Sequence, residues 1–280
     1  MHSNLKEQLN FHFEFKEWYH RIIDDFKFDC KKDYRARDYL TSILDSKDSE
    51  RSLEEVIFSF KKSLQEKSQI LIFGCGPSLE KTVEYIIKKR GMEIFKNSFN
   101  IAADGAAVFL KKKSIPVTAI FTDLDGITKN EFTYPEFLII HAHGDNIEKI
   151  RYFKSCIVQL NNVIGTTQVE SNDTVISPGG FTDGDRIFFF LHTILTPINK
   201  LFLIGMDFNN VIGKYSKLHI NKNQEGSETK KKKLRYAVEL IKWIKKKIKN
   251  DISFVNSPLK LNNFNNLTVE EFINNYKNSI

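Results

Sequence analysis

The middle of the chain contains seven short, nearly uninterrupted apolar runs, and these constrain the fold more than any other feature. Most of them end in glycine or aspartate: QILIFGCG (69–76), NIAADGA (100–106), VTAIFTD (117–123), FLIIHAHG (137–144), CIVQL (156–160), TVISPGG (174–180) and KLFLIGMD (200–207). Continuous rather than alternating apolar character indicates strands buried on both faces, as in a parallel sheet covered by helices. Segments 78–90 and 183–195 fit helices that connect such strands. The sequence therefore predicts an α/β fold with a mostly parallel sheet flanked by helices.

Helical patterns lie on both sides of this predicted sheet. In the N-terminal part, Ser52 followed by Glu55 is a capping-box pattern at the start of an apolar helix. After the sheet, apolar residues at helical spacing among lysines predict a basic amphipathic helix over 229–249.

The C-terminal part completes the predicted organisation. A last strand is predicted over 252–257, before a final helix that Thr268 caps together with Glu271. We divide the chain into three regions: an N-terminal helical region (1–66), an α/β catalytic core (67–210), and a C-terminal segment with a basic helix, a short strand and a final helix (211–280).

The charge and the cysteines limit the partners and the compartment. The net charge of +7 comes mostly from lysine runs in the last third of the chain, and a basic surface suits nucleic acid or a phosphorylated small molecule. Solvated helix faces explain the same lysines equally well. The three scattered cysteines form no C-x-x-C pair, and no long apolar segment is present. We therefore expect a cytoplasmic, reduced protein without a membrane partner.

Acidic residues follow several of the predicted strands. Asp104, Asp123, Asp125, Asp145 and Asp207 each lie at or just past the end of an apolar run. In an open α/β sheet the carboxyl ends of the strands meet at one edge, where ligands bind. One such aspartate is ordinarily a turn residue, but clustered carboxylates repel one another unless a cation lies among them. The pattern predicts a site for Mg²⁺ and phosphate, because Mg²⁺ prefers oxygen ligands.

The segment GCGPSLE (74–80) follows a predicted strand and opens a predicted helix. In this position the backbone N–H groups around Gly74, Gly76 and Ser78 are expected to approach a phosphate. The alternative is a tight turn in which Ser78 only caps the helix. The third glycine of G-x-G-x-x-G and the G-K-[ST] of a P-loop are both missing.

The segment HAHGDN (141–146) places His141 and His143 on the same side of a strand. Two histidines without a third soft ligand disfavour zinc. We expect His143 to form a hydrogen bond with phosphate or substrate.

The segment GGFTDGDR (179–186) reads as a strand end followed by a capped helix. Thr182 is placed to cap a helix that begins at Asp183, with Asp185 at its third position. The cap does not explain Gly184, because glycine costs about 1 kcal/mol relative to alanine inside a helix. We expect a ligand to approach the backbone closely at Gly184.

Six short motifs, taken in order, resemble the archaeal 6-hydroxymethyl-7,8-dihydropterin pyrophosphokinase family over about 68–240. They are GCGPSL, ADGA, TDLDG, HAHGDN, GGFTDGDR and GMDF. That family includes relatives associated with flagellin glycosylation. ADGA and TDLDG also look like turns of thiamin pyrophosphokinases, whose carboxylates hold Mg²⁺ and ATP. Thr122 and Gly126 depart from the thiamin enzymes' pattern, which argues against thiamin as acceptor. The resemblance implies a Rossmann-like, thiamin-pyrophosphokinase-like core.

The resemblance also implies a reaction and a set of site residues. ATP gives its β,γ-diphosphate to the hydroxymethyl oxygen of a reduced pterin, and AMP is released. The residues implied in the magnesium–nucleotide site are Asp104, Asp123, Asp125 and Asp145. Those expected near phosphate or substrate are Gly74, Gly76, Ser78, His143, Thr182, Asp183 and Asp185, with Arg186, Lys214 and Lys217 as candidate cations.

Two other functions remain open from the sequence. One is a sugar-nucleotide-dependent transferase like the glycosylation-associated relatives. The other is a nucleic-acid-binding protein that uses the lysine helix over 229–249, although RNP-like and KH-like motifs are missing. The leading prediction is a Mg²⁺-dependent enzyme with ATP and a reduced pterin as substrates, without nucleic acid, and with a homodimer allowed.

Overall fold

The structure, a computed structural model, describes residues 4–48 and 51–277. Its N-terminal part is helical, as predicted, with α1 (Leu5–Leu9), α2 (His12–Phe26), α3 (Cys30–Asp45) and α4 (Leu53–Gln65). The capping box at the start of α4 is present. The Ser52 N–H donates to Glu55 Oε2 at 2.7 Å, and the Glu55 N–H donates to Ser52 Oγ at 3.3 Å.

A single large sheet forms the centre of the molecule. Within the described ranges it has nine strands: β1 (Gln69–Phe73), β2 (Phe99–Ala103), β3 (Ala119–Thr122), β4 (Phe137–Ala142), β5 (Val163–Thr167), β6 (Val175–Ile176), β7 (Lys200–Ile204), β10 (Ile252–Val255) and β11 (Asn265–Leu267). Their order across the sheet is β11-β10-β7-β1-β2-β3-β4-β5-β6. Every pairing in this sheet is parallel, which confirms the predicted fold class.

Helices connect the strands and cover both faces of the sheet. They are α5 (Leu79–Arg90), α6 (Glu93–Asn97), α7 (Ala106–Lys112), α8 (Ile147–Gln159), α9 (Asp183–Leu191), α10 (Glu228–Lys245) and α11 (Val269–Lys277). A small antiparallel pair, β8 (Val211–Ile212) with β9 (Gln224–Glu225), lies in the connection between β7 and α10. At the start of α11, the Thr268 N–H donates to Glu271 Oε2 at 2.8 Å, as the capping pattern predicted.

The core consists of two apolar layers, one on each face of the sheet. Strand β1 shows the division: all its residues are buried, and Ile70 and Ile72 belong to one layer whereas Leu71 and Phe73 belong to the other. This alternation is the geometry of a strand between two helical layers. The N-terminal helices contribute to both layers, through Phe60 on one face and Leu40 on the other.

One predicted strand was wrong, and one strand was missed beside it. CIVQL (156–160) was predicted as a strand, but Cys156 lies in the last turn of α8. The buried residues of that helix are Ile150, Phe153 and Ile157, so the short apolar run belongs to an amphipathic stripe with helical period. The strand of this part of the sheet is β5, whose sequence VIGTT is too polar to read as an apolar run.

Candidate active site

A cleft of about 330 Å³ runs along the carboxyl edge of the sheet. It is lined by the segments that follow β1, β2, β3, β4 and β7, and by residues of α9 and α10. The five strand-end aspartates predicted to converge all line it. The other predicted residues that line it are Gly74, Gly76, His143, Thr182, Asp183, Gly184, Arg186 and Lys217, whereas Ser78, Asp185 and Lys214, though described, lie outside its lining.

Three carboxylates form what we call the acidic centre: Asp104, Asp123 and Asp125. One oxygen of each lies within 4.8 Å of one oxygen of the other two. Asp104 has a φ of +45°, which glycine and asparagine adopt more readily than aspartate. Its carboxylate accepts a hydrogen bond from the Thr122 hydroxyl at 2.6 Å. A side chain at Gly126 would overlap Asp104 Oδ2, so glycine is required where this carboxylate meets the backbone.

The acidic centre is electrostatically strained without a cation. Burial raises the pKa of Asp104 well above its ordinary value, and the charges of Asp123 and Asp125 raise it further. Burial alone would also raise the pKa of Asp123, but hydrogen bonding and charge from His143 lower it to about 2. Three close carboxylate oxygens are the donor set of a hard divalent ion, so these residues fit such a metal.

The HAHGDN segment supports the acidic centre from one side. His143 Nε2 lies 3.5 Å from Asp123 Oδ2, and the Asp145 N–H donates to His143 Nδ1 at 3.3 Å. Asp145 itself is exposed and lies outside the acidic centre, although it lines the same cleft. Its role as a metal ligand and the contact of His143 with phosphate stay predictions.

The glycine turn at the start of α5 is already hydrogen-bonded within the protein. The Gly74 N–H donates to the Ile204 carbonyl at 2.9 Å, and the Gly76 N–H donates to the Gly205 carbonyl at 2.7 Å. Ser78 gives Asp207 two bonds, from its N–H at 2.7 Å and from its hydroxyl at 2.6 Å.

Asp207 therefore occupies the helix N-terminus where the sequence predicted a phosphate. The Ser78 hydroxyl donates to this carboxylate and leaves the amides of α5 uncapped by its side chain. A carboxylate is a good occupant of a helix N-terminus, because it meets both the free amides and the helix dipole. Sequence reasoning missed the pairing because the two residues lie 129 positions apart. Gly74 and Gly76 still line the cleft with their backbone.

The turn into α9 divides its polar residues between a cap and the cleft. The Asp185 carboxylate accepts bonds from the Phe181 N–H at 2.6 Å, the Thr182 N–H at 2.8 Å and the Thr182 hydroxyl at 2.6 Å. These bonds confirm that Asp185 caps the turn at the N-cap residue Thr182, whose hydroxyl donates to Asp185. Asp183 lines the cleft instead, and burial together with the charges of Asp123 and Asp104 raises its pKa well above the ordinary value.

The three predicted cations all have acidic partners. Arg186 Nη1 lies 3.3 Å from Asp183 Oδ1, Lys217 Nζ lies 3.2 Å from Asp125 Oδ2, and Lys214 Nζ lies 2.8 Å from Glu80 Oε2. Arg186 and Lys217 thus reach the cleft, while Lys214 is directed to the surface of α5.

Two further lysines of the cleft were missed by sequence reasoning. Lys230 and Lys233 of α10 line it. In the described part of the chain, Lys233 has no carboxylate within ion-pair distance, and its Nζ lies 5.6 Å and 5.5 Å from the ring centres of Phe28 and Phe181. Burial lowers the pKa of Lys233. The signal was present: these lysines precede the buried Ala237 by seven and four positions, and so extend the inward face of the helix.

None of the described helices is long and apolar enough to cross a bilayer. Residues 44–213 match the family model described as 6-hydroxymethylpterin diphosphokinase MptE-like. Three similar proteins, each named 6-hydroxymethyl-7,8-dihydropterin pyrophosphokinase, come from Pyrococcus furiosus, Methanocaldococcus jannaschii and Methanothermobacter thermautotrophicus.

The similarity to these proteins covers most of each chain. The identities are 35%, 37% and 32% over 83%, 84% and 82% of this chain, and over 93%, 97% and 93% of the respective relatives. The comparisons support neither of the two alternative functions. The chain belongs to the 6-hydroxymethylpterin diphosphokinase MptE-like family.

Proposed function

We propose that the protein transfers diphosphate from ATP to the hydroxymethyl oxygen of 6-hydroxymethyl-7,8-dihydropterin, which gives the pterin diphosphate and AMP. The observation that carries this proposal is the acidic centre, located at the carboxyl edge of the sheet in a chain whose relatives bear the name of that enzyme. Phosphate transfer needs charge neutralisation and alignment rather than covalent chemistry from the protein, and this cleft offers both.

Asp104, Asp123 and Asp125 would hold a divalent ion, and we propose Mg²⁺ because all three ligands are carboxylates and the co-substrate is a polyphosphate. When bound there, the ion neutralises charge on the phosphate oxygens. His143 fixes the orientation of Asp123 through the 3.5 Å contact, and Thr122 fixes that of Asp104.

The cations of the cleft divide into paired and unpaired groups. Lys217 and Arg186 balance Asp125 and Asp183, so part of their charge is already compensated. Lys233 meets no acid within ion-pair distance among the described residues, and its Nζ lies 5.6 Å and 5.5 Å from the centres of two aromatic rings. A half-buried lysine in this state is best stabilised by an anion from outside the chain. We therefore assign Lys233, with Lys230 beside it, to the phosphates of ATP.

The test is product analysis with purified protein, Mg²⁺ and ATP. With 6-hydroxymethyl-7,8-dihydropterin we expect AMP and the pterin diphosphate in equal amounts. Thiamin, offered in parallel, should yield no AMP above background. Formation of ADP would indicate transfer of a single phosphate, and AMP formed with thiamin alone would contradict the proposed acceptor.

Several expectations from the sequence stay predictions. They are the cytoplasmic location, the homodimer and the division into three regions. Lys27 and Lys32 of the N-terminal region line the cleft.

A further inference from the structure

Two buried residues of the cleft lining carry nitrogens without partners. His141 and Arg186 line the cleft, and each is only 2% exposed. Among the described residues, His141 Nε2 and Arg186 Nε have no hydrogen-bond partner. Buried polar atoms in native proteins nearly always have hydrogen-bond partners. Two such atoms without a partner in one cleft lining therefore indicate that a ligand supplies the missing hydrogen bonds.

The hydrogen bonds around His141 determine which of its nitrogens carries the proton. The Thr166 hydroxyl donates to the Ile140 carbonyl at 3.2 Å, since that carbonyl can only accept. Thr166 Oγ1 is therefore free to accept from His141 Nδ1, which lies 3.2 Å away. Burial and the charges of Arg186 and His143 lower the pKa of His141 well below its ordinary value, so the ring is neutral. With the proton on Nδ1, Nε2 is a hydrogen-bond acceptor.

Arg186 supplies the complementary donor. Its Nη1 donates to Asp183 Oδ1 at 3.3 Å and its Nη2 donates to the Phe181 carbonyl at 3.1 Å. These bonds fix the guanidinium plane, and its Nε–H remains a donor. The cleft lining thus offers one acceptor and one donor, and the Arg186 charge acts on His141.

We propose that this pair binds the lactam edge of the pterin: the ring N3–H donates to His141 Nε2, and the C4 carbonyl accepts from Arg186 Nε. This inference rests on the proposed function and specifies how the site selects its acceptor. On that edge a pterin has a hydrogen-bond donor next to an acceptor. These are the partners that His141 Nε2 and Arg186 Nε lack.

Adenine also has a neighbouring donor and acceptor, but the position of His141 favours the pterin. The His141 and His143 rings stack with centres 5.7 Å apart, and His143 Nε2 lies 3.5 Å from Asp123 in the acidic centre. The oxygen that reacts is one carbon away from the pterin ring, whereas ribose and the α-phosphate separate adenine from the phosphorus that is attacked. The ring close to the acidic centre is therefore the acceptor's.

The test compares two ring systems in direct binding and in turnover. The first is 6-hydroxymethylpterin, and the second is its 2,4-diamino analogue, in which the donor and acceptor of this edge are exchanged. Wild-type protein should bind the lactam ring about tenfold or more tightly, because a mismatched buried donor or acceptor stays unpaired. His141→Phe should reduce this preference to less than about threefold and raise the KM for the dihydropterin, with the KM for ATP within about twofold.

Two further variants complete the experiment. His192→Phe is the matched control, because His192 bonds the Phe189 carbonyl and packs on Phe11 away from the cleft lining. It should change neither ring preference nor KM. Thr166→Val keeps His141 but removes the hydrogen bond that fixes the tautomer of its ring. The preference for the lactam ring should therefore weaken in part. This variant decides the question if His141→Phe does not fold.

The outcomes separate this inference from the proposed function. An unchanged ring preference in His141→Phe, or in Thr166→Val if the former is unfolded, would overturn the inference. So would a rise in the KM for ATP alone, which would assign the pair to adenine. Wild-type protein that binds the lactam ring selectively but makes no AMP would contradict the proposed reaction and leave the ring subsite supported.

Discussion

Two parts of the cleft are built from the same sequence pattern, a strand followed by a short turn with an aspartate. They differ in which groups surround the aspartate carboxylates. Beside β1 and β7, Asp207 accepts two hydrogen bonds from Ser78. Beside β2 and β3, Asp104, Asp123 and Asp125 lie against one another. Asp207 joins two strand ends, whereas the other three carboxylates repel one another and are only partly compensated by Thr122, His143 and Lys217.

Scaffold and site carry the same sequence signal here, but the partners of each carboxylate distinguish them. A carboxylate whose neighbours are protein donors needs no ligand, whereas clustered carboxylates favour a cation even where, as at Asp123, a histidine offsets part of the repulsion. Substitutions at the two ends should therefore have opposite effects on stability and activity.

The largest effect is expected at the acidic centre. Asp123→Asn or Asp125→Asn should lower kcat by about 10³-fold or more. Each substitution removes one of the negative charges that hold the divalent ion beside the phosphates. Unfolding free energy should stay within about 1 kcal/mol, because the relief of repulsion is offset by the loss of the His143 contact with Asp123 or of the Lys217 ion pair with Asp125. Kinetics and thermal melts on the same samples check this. Asp145→Asn is the matched comparison outside the acidic centre and should lower kcat by about tenfold at most. A loss of kcat equal to that of Asp123→Asn would place Asp145 among the metal ligands.

The opposite result is expected at the glycine turn. Asp207→Ala leaves the buried N–H and hydroxyl of Ser78 without their acceptor, so unfolding free energy should fall by about 2–4 kcal/mol. Activity per folded molecule should fall less than about fivefold. Ser78→Ala, which deletes only one of the two bonds, should cost about 1 kcal/mol. Loss of activity at full stability in Asp207→Ala would end the distinction between scaffold and site.

A third comparison lies within α10. Lys233→Gln should raise the KM for ATP by about tenfold, because a desolvated cation near the phosphates is lost. Lys231 pairs with Glu225 and Glu228, and Lys232 pairs with Asp25. Gln at these two positions should leave turnover nearly unchanged. If all three variants behave alike, the lysine helix contributes only general surface charge.

The smallest effect is expected in the turn before α9. A Cβ at Gly184 would lie 3.1 Å from the flexible end of Met206, so the protein can accept alanine with a small shift. Gly184→Ala should fold normally and raise the KM of one substrate by about threefold to tenfold through steric exclusion. Asp183→Asn should lower kcat more than it alters stability. Unchanged kinetics in both would reduce GGFTDGDR to a helix cap.

The sequence predicted the sheet and its rim because both depend on local patterns. Buried strands appear as apolar runs, and an acid after each run lies at the carboxyl edge, as Asp104 and Asp123 do. What it could not predict depends on distant partners. The Ser78–Asp207 bonds join α5 to the loop after β7, and the inward position of Lys233 depends on how α10 packs. The sequence also could not show that His141 Nε2 is an unpaired acceptor, because this depends on the hydrogen bond between His141 Nδ1 and Thr166 on the neighbouring strand.

We propose that the acidic centre binds a divalent ion whereas the glycine turn does not. The most direct measurement is Mn²⁺ binding by electron paramagnetic resonance, in the presence of a non-hydrolysable ATP analogue. We expect wild-type protein and Asp207→Ala to bind with similar affinity, and Asp123→Asn to bind about tenfold or more weakly, since one charged ligand is lost. Normal binding in Asp123→Asn, together with loss of binding in Asp207→Ala, would instead assign the ion to the glycine turn.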